Sequence, residues 1–285
     1  MTTPLLFDAG ALALHRRRAA CAPADFLLRH VAADMADRLA AVLRPFGEAA
    51  EIGALSPVLA DAIAPGFPGT YRPLGDLADE VLPLAPGSID LALSALSLQF
   101  VNDLPGMLSQ IRRALKPDGL LLAALAGGAT LTELREAFGQ AELDVEGGVS
   151  PRVAPFADVR DMGGLLQRAG FALPVADSDV LTVRYDDAFA LMADLRAMGA
   201  TNAMAQRRKT FTRRATLLRM AEIYRERFSD PDGRIRATFE IVWISGWAPH
   251  DSQQKPLKPG SAKARLADAL GTKERPVLGN NHSEE

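Results

Sequence analysis

The chain holds 285 residues, 48% of them hydrophobic and 24% charged, with a formal net charge of −3 at pH 7. That length and composition suit one globular domain, or one domain with an insertion, and the near-balanced charge excludes a global basic field for gripping nucleic acid. The lone Cys21 excludes an internal disulfide framework and any multi-cysteine metal site, which fits a reducing compartment.

No apolar run reaches membrane-spanning length, and the N-terminus carries no signal-peptide core. Residues 1–23 read as a basic lead headed by Phe7-Asp8, with Arg16, Arg17 and Arg18 as a solvated helix face. These features together give the expectation of a bacterial cytoplasmic protein. The main domain is expected over residues 24–248. Residues 24–45 put Phe26, Leu27, Val31, Met35, Leu39, Val42 and Leu43 on one stripe, so the spacing predicts an amphipathic helix ended by Pro45. A first strand follows over Ala49 to Ile52, then a tight turn at Gly53 and a helix capped by Ser56 with Pro57 in its first position. Residues 65–80 are rich in Gly and Pro and hold no ten-residue helix.

The stretch from Ser88 to Leu125 organises the rest. Its two short, almost continuously apolar runs, Ile89–Leu93 and Leu120–Leu125, read as strands covered on both faces. Between them, Asn102-Asp103 ahead of Pro105 signals a helix start. Met107, Leu108, Ile111, Ala114 and Leu115 recur at helical spacing, Lys116 lies in the last turn, and Pro117-Asp118-Gly119 stops the helix. Strand, helix and strand in about forty residues make a right-handed crossover between parallel strands. The fold class expected is therefore α/β, a doubly wound, mostly parallel sheet.

After Gly127-Gly128, a helix over Ala129 to Leu143 is capped by Thr130 or Thr132. Residues 146–156 form an irregular connection, and Asp158 caps a helix running to Arg168 that Gly170 closes. A strand is expected over 174–185, and a helical insertion over about 186–230 holds helices at Asp187–Met198 and 215–228. Asp230-Pro231-Asp232-Gly233 is a turn signal, and Ala237–Trp247 is the last strand. The polar tail, 249–285, reads as extended or partly disordered.

In an open parallel sheet, ligands bind at the carboxyl ends of the strands, here the loops after Ile52, near Asp79-Glu80, after Leu93 and after Leu125. The order of elements resembles a class I S-adenosylmethionine-dependent methyltransferase. The motifs ADEVLPLAPGSIDLALSALSLQFVNDLPGMLSQIRRALKPDG, GGATLTELR, SPRVAPFADVRDMGGLLQRAGF, DLRAMGATNA and RATFEIVWISGWAPHDSQQKPLKPGSA resemble, more specifically, the respiratory complex I assembly factor family and its bacterial relatives.

That resemblance implies a Rossmann-like fold, S-adenosylmethionine as cofactor, and modification of a side chain, by methylation or arginine hydroxylation, on an iron–sulfur subunit of NADH dehydrogenase. The alternative is a non-catalytic assembly chaperone. It implies cofactor-binding positions at Glu51, Gly53, Asp79 (adenine), Glu80, Ser94 and Leu96. Leu77 to Leu84 would supply the third strand, and residues 65–77 a shortened second unit with Asp76 as its candidate acid. Any membrane contact would come through the assembled complex, since the chain has no spanning segment of its own.

Departures from the family pattern are Leu55 and Pro57 at two glycine positions, the short second unit, and Ala9 in place of an arginine. The histidines His15, His30, His250 and His282 form no facial-triad pattern, so no metal site is expected. No catalytic residue is identified. Substrate or partner contacts fall on Gly127, Glu133, Arg135, Arg152, Asn202 and His250. Glu133 and Arg135 read equally as a solvated helix pair, Arg152 as part of a surface crossing, and Asn202 as a helix stop. Arg207 to Arg214 read either as an acidic-partner dock or as solvated charge.

Overall fold

The computed structural model describes residues 5–75, 79–254 and 271–272. Met1–His250 form one unit and Asp251–Glu285 a second. Most of the expected polar tail, and Asp76 with it, lie outside the described residues.

The first unit is built on six strands: β1 (Glu48–Ile52), β2 (Thr70–Leu74), β3 (Ile89–Ala95), β4 (Leu115–Ala126), β5 (Ala172–Tyr185) and β6 (Ile235–Trp247). They lie in the order β2-β1-β3-β4-β6-β5. β1 pairs in parallel with β2 and β3, and β3 with β4; β6 runs antiparallel between β4 and β5. This is the mostly parallel, doubly wound sheet expected.

Among the described residues eight α-helices accompany it: α1 (Ala9–Ala19), α2 (Phe26–Ala40), α3 (Val58–Ile63), α4 (Leu104–Ala114), α5 (Thr132–Glu146), α6 (Val159–Arg168), α7 (Ala188–Ala197) and α8 (Arg214–Phe228). Successive strand residues point to opposite faces, so Leu120, Leu122 and Ala124 meet α2, α3, α5, α7 and α8, whereas Leu121, Ala123 and Leu125 meet α4 and α6. Both faces of the central strands are dry, which is why their sequences are apolar without alternation.

Several local expectations change. α2 stops at Ala40, although its apolar stripe continues; the residue before Pro45 is pushed out of helical geometry, and Leu43 is left 99% exposed. α3 begins at Val58 with Pro57 outside it, and Ser56 makes no cap. Its hydroxyl is buried without a partner instead. α4 ends at Ala114, with Leu115 already in β4 and a register shift absorbing Lys116 to Gly119. α5 is capped by neither threonine; Leu131, in left-handed geometry (φ 56°), occupies its N-cap.

The third strand does not form among described residues 79–84. Glu80 has φ 51°, which breaks an extended run, and Pro83 has no N–H for a ladder. Leu82 and Leu84 bury themselves beneath the sheet, beside α4, so their hydrophobicity serves packing rather than a strand. The sheet therefore ends at β2. The lead is also more ordered than its charge suggested. Asp8 caps α1 by accepting from the Ala11 N–H at 3.0 Å.

Candidate functional site at the carboxyl edge of the sheet

At the end of β1, Gly53 turns the chain with φ 78°, a geometry that costs a residue with a Cβ about 1–2 kcal/mol. Just before it, Glu51 is 5% exposed and accepts a hydrogen bond from the Tyr71 hydroxyl at 2.8 Å. Burial pushes its carboxyl above the usual range, with the Tyr71 bond opposing in part. The neighbouring groups are committed within the fold as well. Ala54 N–H donates to the Leu74 carbonyl at 2.7 Å, and the Ser94 hydroxyl donates to the Ile52 carbonyl at 2.8 Å.

Glu80 is occupied within the fold too. Its two oxygens accept from Asn102 N–H (2.6 Å) and Asp103 N–H (2.8 Å), fixing the loop that leads into α4. Leu96 holds left-handed geometry (φ 51°) in that same loop. Asp79 is exposed.

A nucleoside cofactor held at this edge needs backbone N–H donors and close backbone approach at the glycine loop. Here Ala54 N–H is turned inward, Pro57 has no N–H, and Leu55 places a half-exposed side chain on the loop. The cradle of S-adenosylmethionine is thus incompletely matched by these residues.

The end of β4 is built differently. Gly127 N–H donates to the Glu240 carbonyl at 2.8 Å, and a Cβ on Gly127 would stand 2.6 Å from the Glu240 carboxylate. That carboxylate accepts from Ala129 N–H at 2.8 Å, while the Thr130 hydroxyl bonds the backbone of the same residue. Glu133 accepts from the amide and hydroxyl of Thr238, tying α5 to β6. Arg135 donates to the carbonyls of Gly128, Thr130 and Ala154, each at 3.4 Å.

Above this edge the connection 147–156 and residues 199–213 form a roof. Glu142, 1% exposed, anchors it by accepting from the Ser150 amide (2.6 Å), the Ser150 hydroxyl (2.7 Å) and the Arg152 guanidinium. Burial pushes the Glu142 carboxyl up, but the Ser150 bonds and Arg152 outweigh it and hold it below the usual carboxylate range. Arg152 also donates to the Thr212 hydroxyl at 2.8 Å and lies 5.1 Å from the Phe138 ring centroid. Asn202 donates to the Pro151 carbonyl at 2.8 Å and accepts from Met204 N–H at 3.0 Å. One turn further along α5, Glu146 receives Arg208 and the Thr216 hydroxyl.

The lead completes the roof. Phe7 bridges Met204, and Asn102 from the loop ahead of α4 accepts from Phe7 N–H at 2.8 Å. Asp8 pairs with Arg207 at 3.0 Å. Beneath lies a cavity of about 260 Å³ whose walls include Arg152 and Asn202, and beside it an open groove of about 650 Å³ bordered by Gly128 and Arg135.

Of the residues named from sequence, Arg152 and Asn202 share the cavity. Arg135 is in the groove, with Gly127 next to its Gly128 border. Glu51, Gly53, Ser94 and Leu96 cluster at the ends of β1 and β3. Glu133 faces β6, and His250 is exposed beyond that strand. The residues sequence reasoning missed are Tyr71, Asn102 in its bracing role, Glu142 and Glu240. Glu142 was legible in part: an acid in the middle of the apolar stripe Leu134, Phe138, Ala141 asks for a buried partner. Among the described residues no three His, Cys, Asp or Glu side chains converge as a metal site.

Residues 72–123 match the family described as Methyltransferase domain. Over 266 residues the chain is 39% identical to the mitochondrial arginine-hydroxylase NDUFAF5 of Rattus norvegicus, covering 86% of this chain and 76% of the rat protein. The chain belongs to the NDUFAF5 family. With the protein of that name from Dictyostelium discoideum it shares 43% identity over 200 residues, 70% of this chain but 46% of that protein, so it spans about half the length of that relative.

Among solved structures, a methyltransferase-type protein of Bacillus halodurans C-125 superposes with a TM-score of 0.50 at 14% identity, over 77% of this chain and 99% of that one, which shows the shared fold. The family is the one the sequence motifs resemble, and the methyltransferase fold is as expected. The bacterial cytoplasmic expectation is overturned: the NDUFAF5 relatives matching 70% and 86% of the chain are mitochondrial proteins of eukaryotes. No helix among the described residues is long and apolar enough to cross a membrane.

Proposed function

We propose that this chain acts in the assembly of NADH dehydrogenase, engaging an iron–sulfur subunit across the carboxyl edge of its sheet. The relatives' name, arginine-hydroxylase, gives the target class carried over here, an arginine-bearing segment of that subunit. The contrast between the two halves of the edge supports this reading. The loop after β1 has Ala54 N–H turned inward and Pro57 without a donor, whereas the roof over β4 is braced by the buried Arg152–Glu142 ion pair beside a lined cavity.

A second reading is S-adenosylmethionine-dependent modification of the same segment. It is favoured by the turn retained at Gly53 and by the methyltransferase-domain match over residues 72–123. Calorimetry of the full chain with S-adenosylmethionine separates the two. The assembly reading expects no saturable heat up to millimolar ligand; saturable binding transfers the conclusion to the second reading. Immobilised protein is expected to retain the iron–sulfur subunit from a lysate, and failure to retain any NADH dehydrogenase subunit would sink both.

A further inference from the structure

The cavity of about 260 Å³ under the roof is larger than an apolar void of about 150 Å³ that suffices for benzene. Phe100, Phe138, Phe239, Met192, Met198 and Leu134 are among the apolar residues of its wall. Of its polar side chains, Arg152, Asn202 and Thr130 are engaged within the fold, and Arg196 is exposed to solvent. Arg152 is held by Glu142 and Thr212, Asn202 by Pro151 and Met204, and the Thr130 hydroxyl by Glu240. No aspartate or glutamate lines it, while Arg152 and Arg196 do. The adjoining groove shares Val153 and Phe156 with the cavity, and it too is bordered by an arginine, Arg135, and by no carboxylate. A guanidinium entering either space would lose its hydration beside like charge with no acid to receive it. An uncharged apolar group would lose nothing polar and gain the contacts of the wall.

We propose that this cavity reads a bulky uncharged side chain, aromatic or long aliphatic, on a polypeptide segment laid in the adjoining groove, and that the arginine of that segment stays outside both. The inference rests on the reading that a partner polypeptide crosses this edge, and it adds the residue class by which the segment is recognised. The groove that adjoins the cavity across Val153 and Phe156 is what favours a chain-borne side chain over a free molecule. The segment's arginine is left outside, because no carboxylate among the described residues lines either space.

The test uses the full chain labelled at its methionine methyl groups, observed by NMR during titration with acetyl-Gly-Phe-Gly-amide and, separately, acetyl-Gly-Arg-Gly-amide. Met192 and Met198 report the cavity, and Met204 the groove. All three methyls are expected to shift saturably with the phenylalanine peptide, with the arginine peptide at least about tenfold weaker. An equal or stronger response to the arginine peptide, or no response at Met192 and Met198 up to millimolar peptide, overturns the proposal. So does a response to free indole without one to the phenylalanine peptide, which would make the cavity a small-molecule site.

Leu134→Phe, which fills the space, should abolish the two cavity shifts. If that variant fails to fold, the wild-type titration alone decides. Retention of the iron–sulfur subunit by a folded Leu134→Phe protein as strongly as by wild type would remove the cavity from recognition and leave the assembly role standing. Loss of the subunit from wild type with the methyl pattern intact would do the reverse.

Discussion

Glu142 and Glu51 are both buried carboxyls, and their surroundings push them in opposite directions. Glu142 is held below the usual range by Ser150 and Arg152 despite its burial. A carboxyl depressed in the folded state contributes stability above its unfolded value, about 4.3, and loses it as pH falls through the folded value. Glu142→Gln leaves Arg152 facing a neutral amide in a nearly closed site. The expected cost at pH 7 is about 3–5 kcal/mol in urea unfolding, shrinking as the wild type is taken below about pH 4. Glu51 is raised by burial, so the sign reverses. Its favourable contribution is present below about pH 4.3 and is lost as pH rises through the raised value. Glu51→Gln should therefore match or exceed wild-type stability at pH 7 and converge with it at acid pH; a less stable variant at pH 7 would show that the carboxylate is held by more than Tyr71. The sequence marked Glu51 through the resemblance, as the acid ahead of the first glycine. It could not mark the partner, since Tyr71 lies twenty residues on, in a strand hidden among glycines and prolines.

Among the elements, the loop between β1 and α3 carries the sharpest local test. Replacing Leu55 and Pro57 together by glycine returns an N–H and opens the backbone, at some cost to the six-residue α3. The double variant is expected to give saturable heat with S-adenosylmethionine at millimolar ligand or below, where wild type gives none, since one hydrogen bond to a charged group is worth about tenfold or more in affinity. Unchanged binding would mean that the loop is not what limits the site. The strand, helix and strand from β3 to β4 were legible, apart from the end of α4, and so were the caps at Asp103 and Asp158, because each is a local pattern whose side chain bonds a backbone N–H two or three residues away. The third strand was misread for an equally physical reason: Leu82 and Leu84 have the spacing of a strand, but they satisfy it by packing on α4, and Glu80 breaks the extension ahead of them. Thr130 and Thr132 looked like caps and serve other bonds, because Glu240 on β6 competes for the first.

At the scale of the whole unit, two apolar layers clasp the sheet, and a third, small cluster of Phe7, Ala11, Leu12, Ala203 and Met204 holds the roof. The small cluster buries far less surface than either layer, so it should open without them. In hydrogen exchange, Asp8 N–H and Ala205 N–H, both bonded across the roof, are expected to exchange together and well before the amides of β3 and β4. Protection equal to that of β4 would make the roof part of the global unit. Phe7→Ala should accelerate that opening and lower stability by about 3 kcal/mol if the site cannot collapse. The sheet and its helices could be read from periodicity, because burial on two faces imprints itself on every strand. The roof could not, because its ties join Phe7 to Asn102 and Asp8 to Arg207, positions whose pairing leaves no periodic trace.

The placement of β6 between β4 and β5 has a consequence for how the protein is made. It follows every other strand of the described residues along the chain, yet β5 joins the sheet only through it. Until residues 235–247 emerge, β5 has no ladder to join, and Ala129, Thr130 and Glu133 lack the partners that Thr238 and Glu240 later supply. The parallel half can form during synthesis, but the cavity has no floor to close against. A chain cut anywhere before Ile235 thus carries almost every residue of the candidate site and cannot assemble it.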